Sequence, residues 1–426
     1  MKKAKYIDGI LVLYQNNRAN KASYAEFGIL SGAFNEKIDG TAHFLEHMLF
    51  NGTPSLTKQD IIKNTKLLGI NASTSFDKMI INFQRSSRKL EDCFKICSDM
   101  FFNSNLDKTM MENERKVILE EFNKVKSDMI TQATLKHRAK VFNCKKFNFS
   151  PLGHSNSILK ITTKDLEKFK KENFCKENFY VSICSNKSFA YCKKLIKKYI
   201  IPNLKSIPNF TAKHSFDKPI QQKSFVQILP SNDFSQNTFF LSLNTTNISR
   251  KNDHILGYLN QIQKSRFTNI LRHKQGLVYN SPTSYCAENL TEMRYGLQIK
   301  TTAKNIKNVL TELAKIFNDL KTNGITKEEY ESTKELDLLL NDSSLPNPSK
   351  RPGSNITDYR YFKKLISGKQ SQKEFHKIKL EEINNFLKEL FDINQVALTV
   401  VGNASKKDVP SLSKLKQIFG VKYWQI

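Results

Sequence analysis

The sequence predicts an α+β protein built as two copies of one domain. Three observations carry this. Short strand-like runs alternate with longer stretches of helical periodicity along the chain. A helix-then-strand pattern recurs, without a gap, at a fixed offset of 217 residues, close to half of the 426-residue length. Hydrophobic residues make up 39% and charged residues 25%, a balance that suits a globular chain long enough for two domains.

The elements follow in order. Tyr6–Tyr14 (YIDGILVLY) reads as a strand after a Gly turn, and Tyr24–Ser31 as a second. A loop covers 32–40, and Thr41 can cap the helix after it. Gly52 and Pro54 close that helix. A helix over about Thr57–Leu68 leads to Gly69-Ile70-Asn71-Ala72-Ser73-Thr74, a strand-like segment that resumes at Met79–Phe83. Leu90–Met100 and Thr109–Ser127 are helical. Cys93 and Cys97, on the first of these helices, read as small core residues; the 7 cysteines are odd in number and scattered, so no disulfide framework is expected.

The repeat starts at Ile161–Phe169, which opens a helix leading to the strand Phe179–Cys184 and to Asn186. Ile378–Asn403 does the same. Ile161 matches Ile378, Leu166 matches Ile383, Phe169 matches Phe386, Phe174 matches Phe391 and Asn186 matches Asn403. The join falls in the proline-marked stretch Pro202–Pro219, giving domains 1–208 and 209–426.

Chemistry concentrates at His43-Phe44-Leu45-Glu46-His47. On a helix, His43 and His47 share a face four residues apart, where two imidazoles can hold one metal ion. Glu46 lies beside them with a carboxylate free to take a proton from water. H-x-x-E-H is the inverted order of the H-E-x-x-H zinc helix. The bland alternative is a helix with a buried His and a surface pair. A third ligand is offered by the 109–127 helix, where Glu114, Val117, Ile118, Glu121 and Val125 share a face. Carboxylates on an apolar stripe cost free energy unless paired or metal-bound, which nominates Glu121. Glu120, one turn from both Lys116 and Lys124, belongs to the salt-bridged solvent face.

In the second copy, position 260 (the equivalent of 43) is an Asn, so that copy is metal-free and must contribute something else. A helix ends at Leu271-Arg272-His273-Lys274, Gly276 caps it, and Leu277-Val278-Tyr279 begins a strand. Arg272 is a fork of donors suited to carbonyl or carboxylate groups. On this stretch alone, a helix-capping Arg and a core Tyr are equally good readings.

The net charge of +28 raises a nucleic-acid or acidic partner. No nucleic-acid motif with interleaved aromatics accompanies it, and Lys, Asn, Ile and Phe dominate throughout, as AT-rich coding would produce, so no nucleic-acid partner is expected. No apolar run approaches the length of a membrane span, and Met1-Lys2-Lys3 opens no secretory leader, so the expectation is a cytoplasmic protein with no membrane partner.

Taken together, these motifs resemble the pitrilysin family of zinc metallopeptidases (family M16, the inverzincins), in the two-domain form that includes mitochondrial processing peptidase and its bacterial relatives. The resemblance runs from Gly40-Thr41-Ala42-His43-Phe44-Leu45-Glu46-His47-Met48-Leu49-Phe50-Asn51-Gly52-Thr53 through Asn71-Ala72-Ser73-Thr74, the Glu114-to-Glu121 helix and Pro151-Leu152-Gly153. It ends at Leu271-Arg272 with Gly276-Leu277-Val278-Tyr279. It implies that each domain is a mostly antiparallel sheet packed with helices. It implies one Zn2+ per chain on His43, His47 and Glu121, with Glu46 as general base and Glu114 supporting the site from behind. The edge strand at Asn71 and Ala72 would receive the substrate backbone, and Arg272 and Tyr279 would reach the substrate from the other half of a chamber, Tyr279 as a catalytic donor. The implied activity is zinc-dependent endopeptidase action on unfolded peptides or precursor segments. The alternative is a non-catalytic or partner-dependent subunit of a heterodimeric processing peptidase. Because both residue sets sit on one chain, a two-fold homodimer is the simplest closure, and a heterodimer with a related chain the other.

Overall fold

The computed structural model describes residues 2–18, 20–207, 209–210, 223–231, 236–288, 292–343 and 350–421. Strands β1 (Lys2–Ile7) and β2 (Ile10–Asn16) form an antiparallel hairpin closed by Asp8 and Gly9, with φ of 48° and 92°. Asp-Gly between two strands is a tight hairpin turn whose twist matches that of the strands. The Gly turn expected within Tyr6–Tyr14 is this one; the strand after it starts at Ile10, and Tyr6 and Ile7 end the strand before it.

The first sheet continues with β3 (Ala22–Ile29), β4 (Ile70–Thr74), β5 (Met79–Ser86) and β6 (Phe179–Ser185). Its order is β1-β2-β6-β3-β5-β4; β2 and β6 run parallel and all other neighbours antiparallel. The second sheet holds β7 (Phe225–Pro230), β8 (Asn237–Asn247), β9 (Thr283–Glu288), β10 (Glu292–Thr301) and β11 (Ala397–Gly402) in the order β7-β11-β8-β10-β9. Here too one pair, β7 with β11, is parallel. Apart from β1, the two sheets share one topology. The helices Thr163–Asn173 and Leu380–Leu390, which lead into β6 and β11, are displaced by the same 217 residues at both ends.

The first core lies between one sheet face and the helices Thr41–Met48, Leu90–Asn103, Thr163–Asn173 and Phe189–Tyr199. Phe27, Phe94, Phe101 and Phe179 form its centre, with ring centroids 5.8–6.3 Å apart. Cys93 and Cys97 are buried beside them, and burial pushes the Cys93 thiol up to about 12. The second core gathers the inner faces of β8, β10 and β11 under the helices Arg250–Phe267, Ile306–Thr322 and Leu380–Leu390.

A single cut between residues 208 and 209 does not describe the two units. Unit 1 comprises Met1–Val125, Phe149–Ser215 and Pro346–Ser367; unit 2 comprises Lys126–Asn148, Phe216–Leu345 and Gly368–Ile426. Each half of the sequence lends a helix to the other half's sheet. The physical reason is the second face of each sheet. In unit 1 that face carries Leu11, Leu13, Ile80 and Tyr180, and Ile356 of the Arg351–Phe362 helix covers it. In unit 2 it carries Phe240 and Val401, covered by Ala133 of the Met129–Val141 helix.

That second helix also buries His137, whose Nδ1 lies 2.9 Å from Thr399 Oγ1 and Nε2 2.8 Å from Ser242 Oγ. Burial pushes its pKa down to about 3, with the Arg294 and Lys140 charges acting in the same direction. Folded protein then holds His137 neutral, while the unfolded chain takes up a proton below about pH 6.5. The stability this residue affects is level above that pH and falls as pH drops toward 3. We expect His137 to account for about 2 kcal/mol of lost stability between pH 7 and pH 5. Urea unfolding of His137→Gln should show that part of the pH dependence removed; an unchanged slope would refute the assignment.

Candidate metal centre

The Thr41–Met48 helix is short, and its phase is set by Ala42, Phe44, Leu45 and Met48, all buried in the first core. Two constraints fix its start. Gly40 (φ 96°) and Gly153 (φ 81°) let two loops cross there: a Cβ on Gly40 would stand 2.5 Å from Leu152 O, and one on Gly153 2.4 Å from Asp39 O. This is the steric role of the Pro151-Leu152-Gly153 motif. The second constraint is the cap. Thr41 does not provide it; Thr41 is the first helical residue, and its hydroxyl donates to Ile38 O at 2.7 Å. The carboxylate of Glu36 accepts from Gly40 N at 2.7 Å and Ala42 N at 2.8 Å instead. Cap signatures sit directly before a helix, and Glu36 lies further upstream, so sequence reasoning passed over it.

With the helix so placed, His43 and His47 turn away from the core toward the Lys108–Ser127 helix, their ring centroids 4.7 Å apart. Glu121 Oε2 lies 3.7 Å from His43 Nε2 and 3.5 Å from His47 Nε2. Among the described residues these three form the one metal-capable cluster, with donor atoms all within 4.8 Å of one another. Four donors about 2.1 Å from a tetrahedral zinc stand about 3.4 Å apart, so both nitrogen–carboxylate spacings suit that ion. Two imidazoles and one carboxylate are also a known catalytic zinc set with room for a further ligand.

Glu114 lies behind His47, its Oε2 3.2 Å from Nδ1. That contact assigns the proton of a neutral His47 to Nδ1 and leaves Nε2 facing Glu121. Lys58, unforeseen in the sequence, donates to the other Glu114 oxygen at 3.0 Å. The hydrogen bond to His47 and the Lys58 charge outweigh burial and hold the Glu114 carboxyl down to about 2. Burial alone would lower His47, but the bond to Glu114 and the charges of Glu46, Glu114 and Glu121 raise it. His43 is the opposite case: burial and the neighbouring His47 push it down to about 3. The Glu46 carboxyl is raised by burial, an effect that Thr74 at the end of β4 partly offsets.

The phase of the Lys108–Ser127 helix differs from expectation. Its buried stripe is Met111, Arg115 and Ile118, whereas Val117 is 52% exposed. Glu114 and Glu121 flank that stripe, half-buried, with one side open. Glu120 is exposed, as expected. Arg115 joins the helix to its surroundings. It donates to Glu112, Ile158 O and Ile161 O, and its guanidinium lies 5.2 Å from the Phe44 ring centroid. The 111, 115, 118 spacing made Arg115 findable in the sequence; its charge disguised it.

Asn71 and Ala72 lie on β4, an edge of the first sheet that packs against the motif helix, Asn71 exposed and Ala72 buried. Arg272 and Tyr279 belong to unit 2 and lie beside each other, the Arg272 guanidinium 5.6 Å from the Tyr279 ring centroid. The helix there widens into a π-helical turn, Thr268–Lys274, with Leu271 buried, and ends as expected at Gly276, whose φ is 62° and whose N–H donates to Arg272 O at 3.1 Å. The strand expected at Leu277–Tyr279 starts only at Thr283. Tyr279 is 72% exposed, which removes the core-tyrosine alternative.

A duplicated sheet-and-helix architecture with a His-His-Glu donor set in its first copy, the one such cluster among the described residues, is that of a two-domain metallopeptidase fold. The chain belongs to peptidase family M16. Residues 11–152 match the family described as Insulinase (Peptidase family M16), and residues 160–336 match Peptidase M16 inactive domain. The chain is 22% identical over 410 residues to the uncharacterized zinc protease YmxG of Bacillus subtilis (strain 168), spanning 90% of this chain and 94% of that one. It is 34% identical over 134 residues to Mitochondrial-processing peptidase subunit beta of Mus musculus, 31% of this chain and 27% of that one. The solved structure of a peptidase M16 inactive domain from Pseudomonas fluorescens superposes with a TM-score of 0.80 at 16% identity, over 95% of this chain and 98% of that one.

The helix geometry yields a discriminating test. Equilibrium dialysis should find Glu121→Ala depleted of zinc and Glu120→Ala fully loaded. The reverse result would mean that the wrong face of the Lys108–Ser127 helix has been assigned to the metal.

Proposed function

We propose that this chain is a zinc-dependent endopeptidase acting on unfolded peptides or precursor segments inside a chamber. The observation that supports it most is the convergence of His43, His47 and Glu121, with Glu46 beside them, in a member of family M16. His43, His47 and Glu121 would hold one zinc ion, and Glu114 would orient His47. Bound zinc supplies Lewis-acid polarisation of the scissile carbonyl and makes water more acidic. Glu46 takes a proton from the attacking water and returns it to the leaving amine. Its burial-raised pKa brings it nearer the working pH of a general base.

The substrate would add a strand to β4 at Asn71 and Ala72. Backbone pairing reads the main chain and tolerates varied side chains, which favours unfolded substrates. Arg272 would hold substrate carbonyl or carboxylate groups, and Tyr279 would donate to the developing oxyanion, an effect worth about 3 kcal/mol in other enzymes. The chain would act as a homodimer. Relatives whose names designate them subunit beta favour a second reading, that a related chain is needed as partner.

Glu46→Gln should retain its zinc by elemental analysis and lose about two to four orders of magnitude in peptide hydrolysis. Loss of zinc in this variant would instead make Glu46 a ligand. Assembly is read by mixing inactive Glu46→Gln chains with Tyr279→Phe chains. Recovered activity is expected of a shared homodimeric site; none, from mixtures shown to contain mixed dimers, leaves either a site completed within one chain or a need for a different partner.

A further inference from the structure

We propose that Glu36 is a positioning residue of the metal centre, locking the first turn of the motif helix and cancelling the positive end of that helix where a cation has to sit. The inference rests on the zinc reading above. Glu36 is 7% exposed, and its two oxygens are divided between two backbone donors, Gly40 N and Ala42 N. A carboxylate held at both oxygens cannot rotate, and the backbone it grips leads directly into His43. The helix has only 8 residues, so His43, its third, stands in the first turn. An error in the direction of that turn would pass straight to the imidazole.

Electrostatics acts in the same direction. The free N–H groups of a helix start carry about half a positive charge, which repels a divalent cation held in the first turn. A full negative charge on those groups outweighs it. Loss of the Glu36 charge therefore weakens cation binding by geometry and by field together.

The base from which Glu36 acts is itself fixed. Ala33 N donates to Ser75 O at 3.1 Å, Phe34 N donates to Phe76 O at 2.8 Å, and the Phe34 and Phe76 rings lie 5.4 Å apart. Ser75 and Phe76 belong to the turn between β4 and β5. One loop thus ties the peptide-receiving edge strand to the metal helix, with Glu36 at the helix end of the tie.

The test measures zinc affinity of the full chain by competition with a chelating indicator, together with thermal unfolding of the zinc-free protein. Glu36→Gln keeps the shape but loses the charge and one acceptor, and should weaken zinc binding by about tenfold. Glu36→Asp keeps the charge but reaches one N–H, and should weaken it by about threefold. Thr162→Ala removes an ordinary cap, that of the Thr163–Asn173 helix, and should lower the unfolding temperature without changing zinc affinity. Glu36→Gln with unchanged zinc affinity overturns the proposal and leaves Glu36 a stability cap. If Glu36→Gln does not fold, Glu36→Asp decides in the same titration, unchanged affinity again being the overturning result. A wild-type chain that binds no zinc would sink the zinc reading itself, a distinct outcome visible before any variant is made.

Discussion

The metal centre depends on how an eight-residue helix is seated in the first core. Such a helix is too short to hold its own conformation in water. Ala42, Phe44, Leu45 and Met48 anchor one side of it, and burying each large side chain contributes about 1.5–3 kcal/mol. The remaining side then has no freedom: His43 and His47 must face the Lys108–Ser127 helix, with Glu46 held beside them by Thr74 of β4. Arg115 against Phe44 ties the two helices together, about two turns before Glu121 meets the imidazoles.

Charge is the second constraint. Glu46, Glu114 and Glu121 converge on two imidazoles in a half-buried place, and like charges so close are costly. Lys58 offsets part of this at Glu114, and the charges of Glu46, Glu114 and Glu121 raise the His47 pKa against the effect of burial. A divalent cation between His43, His47 and Glu121 would meet the same demand. The second copy has Asn at the position equivalent to His43, and no comparable cluster occurs among the described residues of unit 2.

The duplication has a physical signature beyond topology. A twisted sheet with apolar residues on both faces must be covered twice. Each sheet here is covered on its main face by helices near in sequence and on the other by one helix from the opposite half. This exchange links the halves through the chain itself, so neither 1–208 nor 209–426 contains all of the side chains that bury its own sheet.

Much of this was legible in the sequence. Helical spacing put His43 and His47 on one face, and a fixed offset between matching helix–strand pairs revealed two domains of one kind, because both are local or periodic properties of the chain. The apolar stripe that favours Glu121 over Glu120 is narrower than the spacing implies: Val117 is exposed, and Glu121 flanks the buried stripe. The parts that escaped are those set by contacts distant in sequence. Glu36 caps a helix from across a loop, Lys58 reaches Glu114 from another helix, and Arg115 is buried against backbone carbonyls more than forty residues away. The Arg351–Phe362 helix gives no local sign that it belongs to the first sheet. Local pattern determines which helices and strands form and which face each presents. Only tertiary packing decides which distant side chain meets an unsatisfied donor or charge, because that pairing follows from the spatial arrangement of elements and from no spacing along the chain.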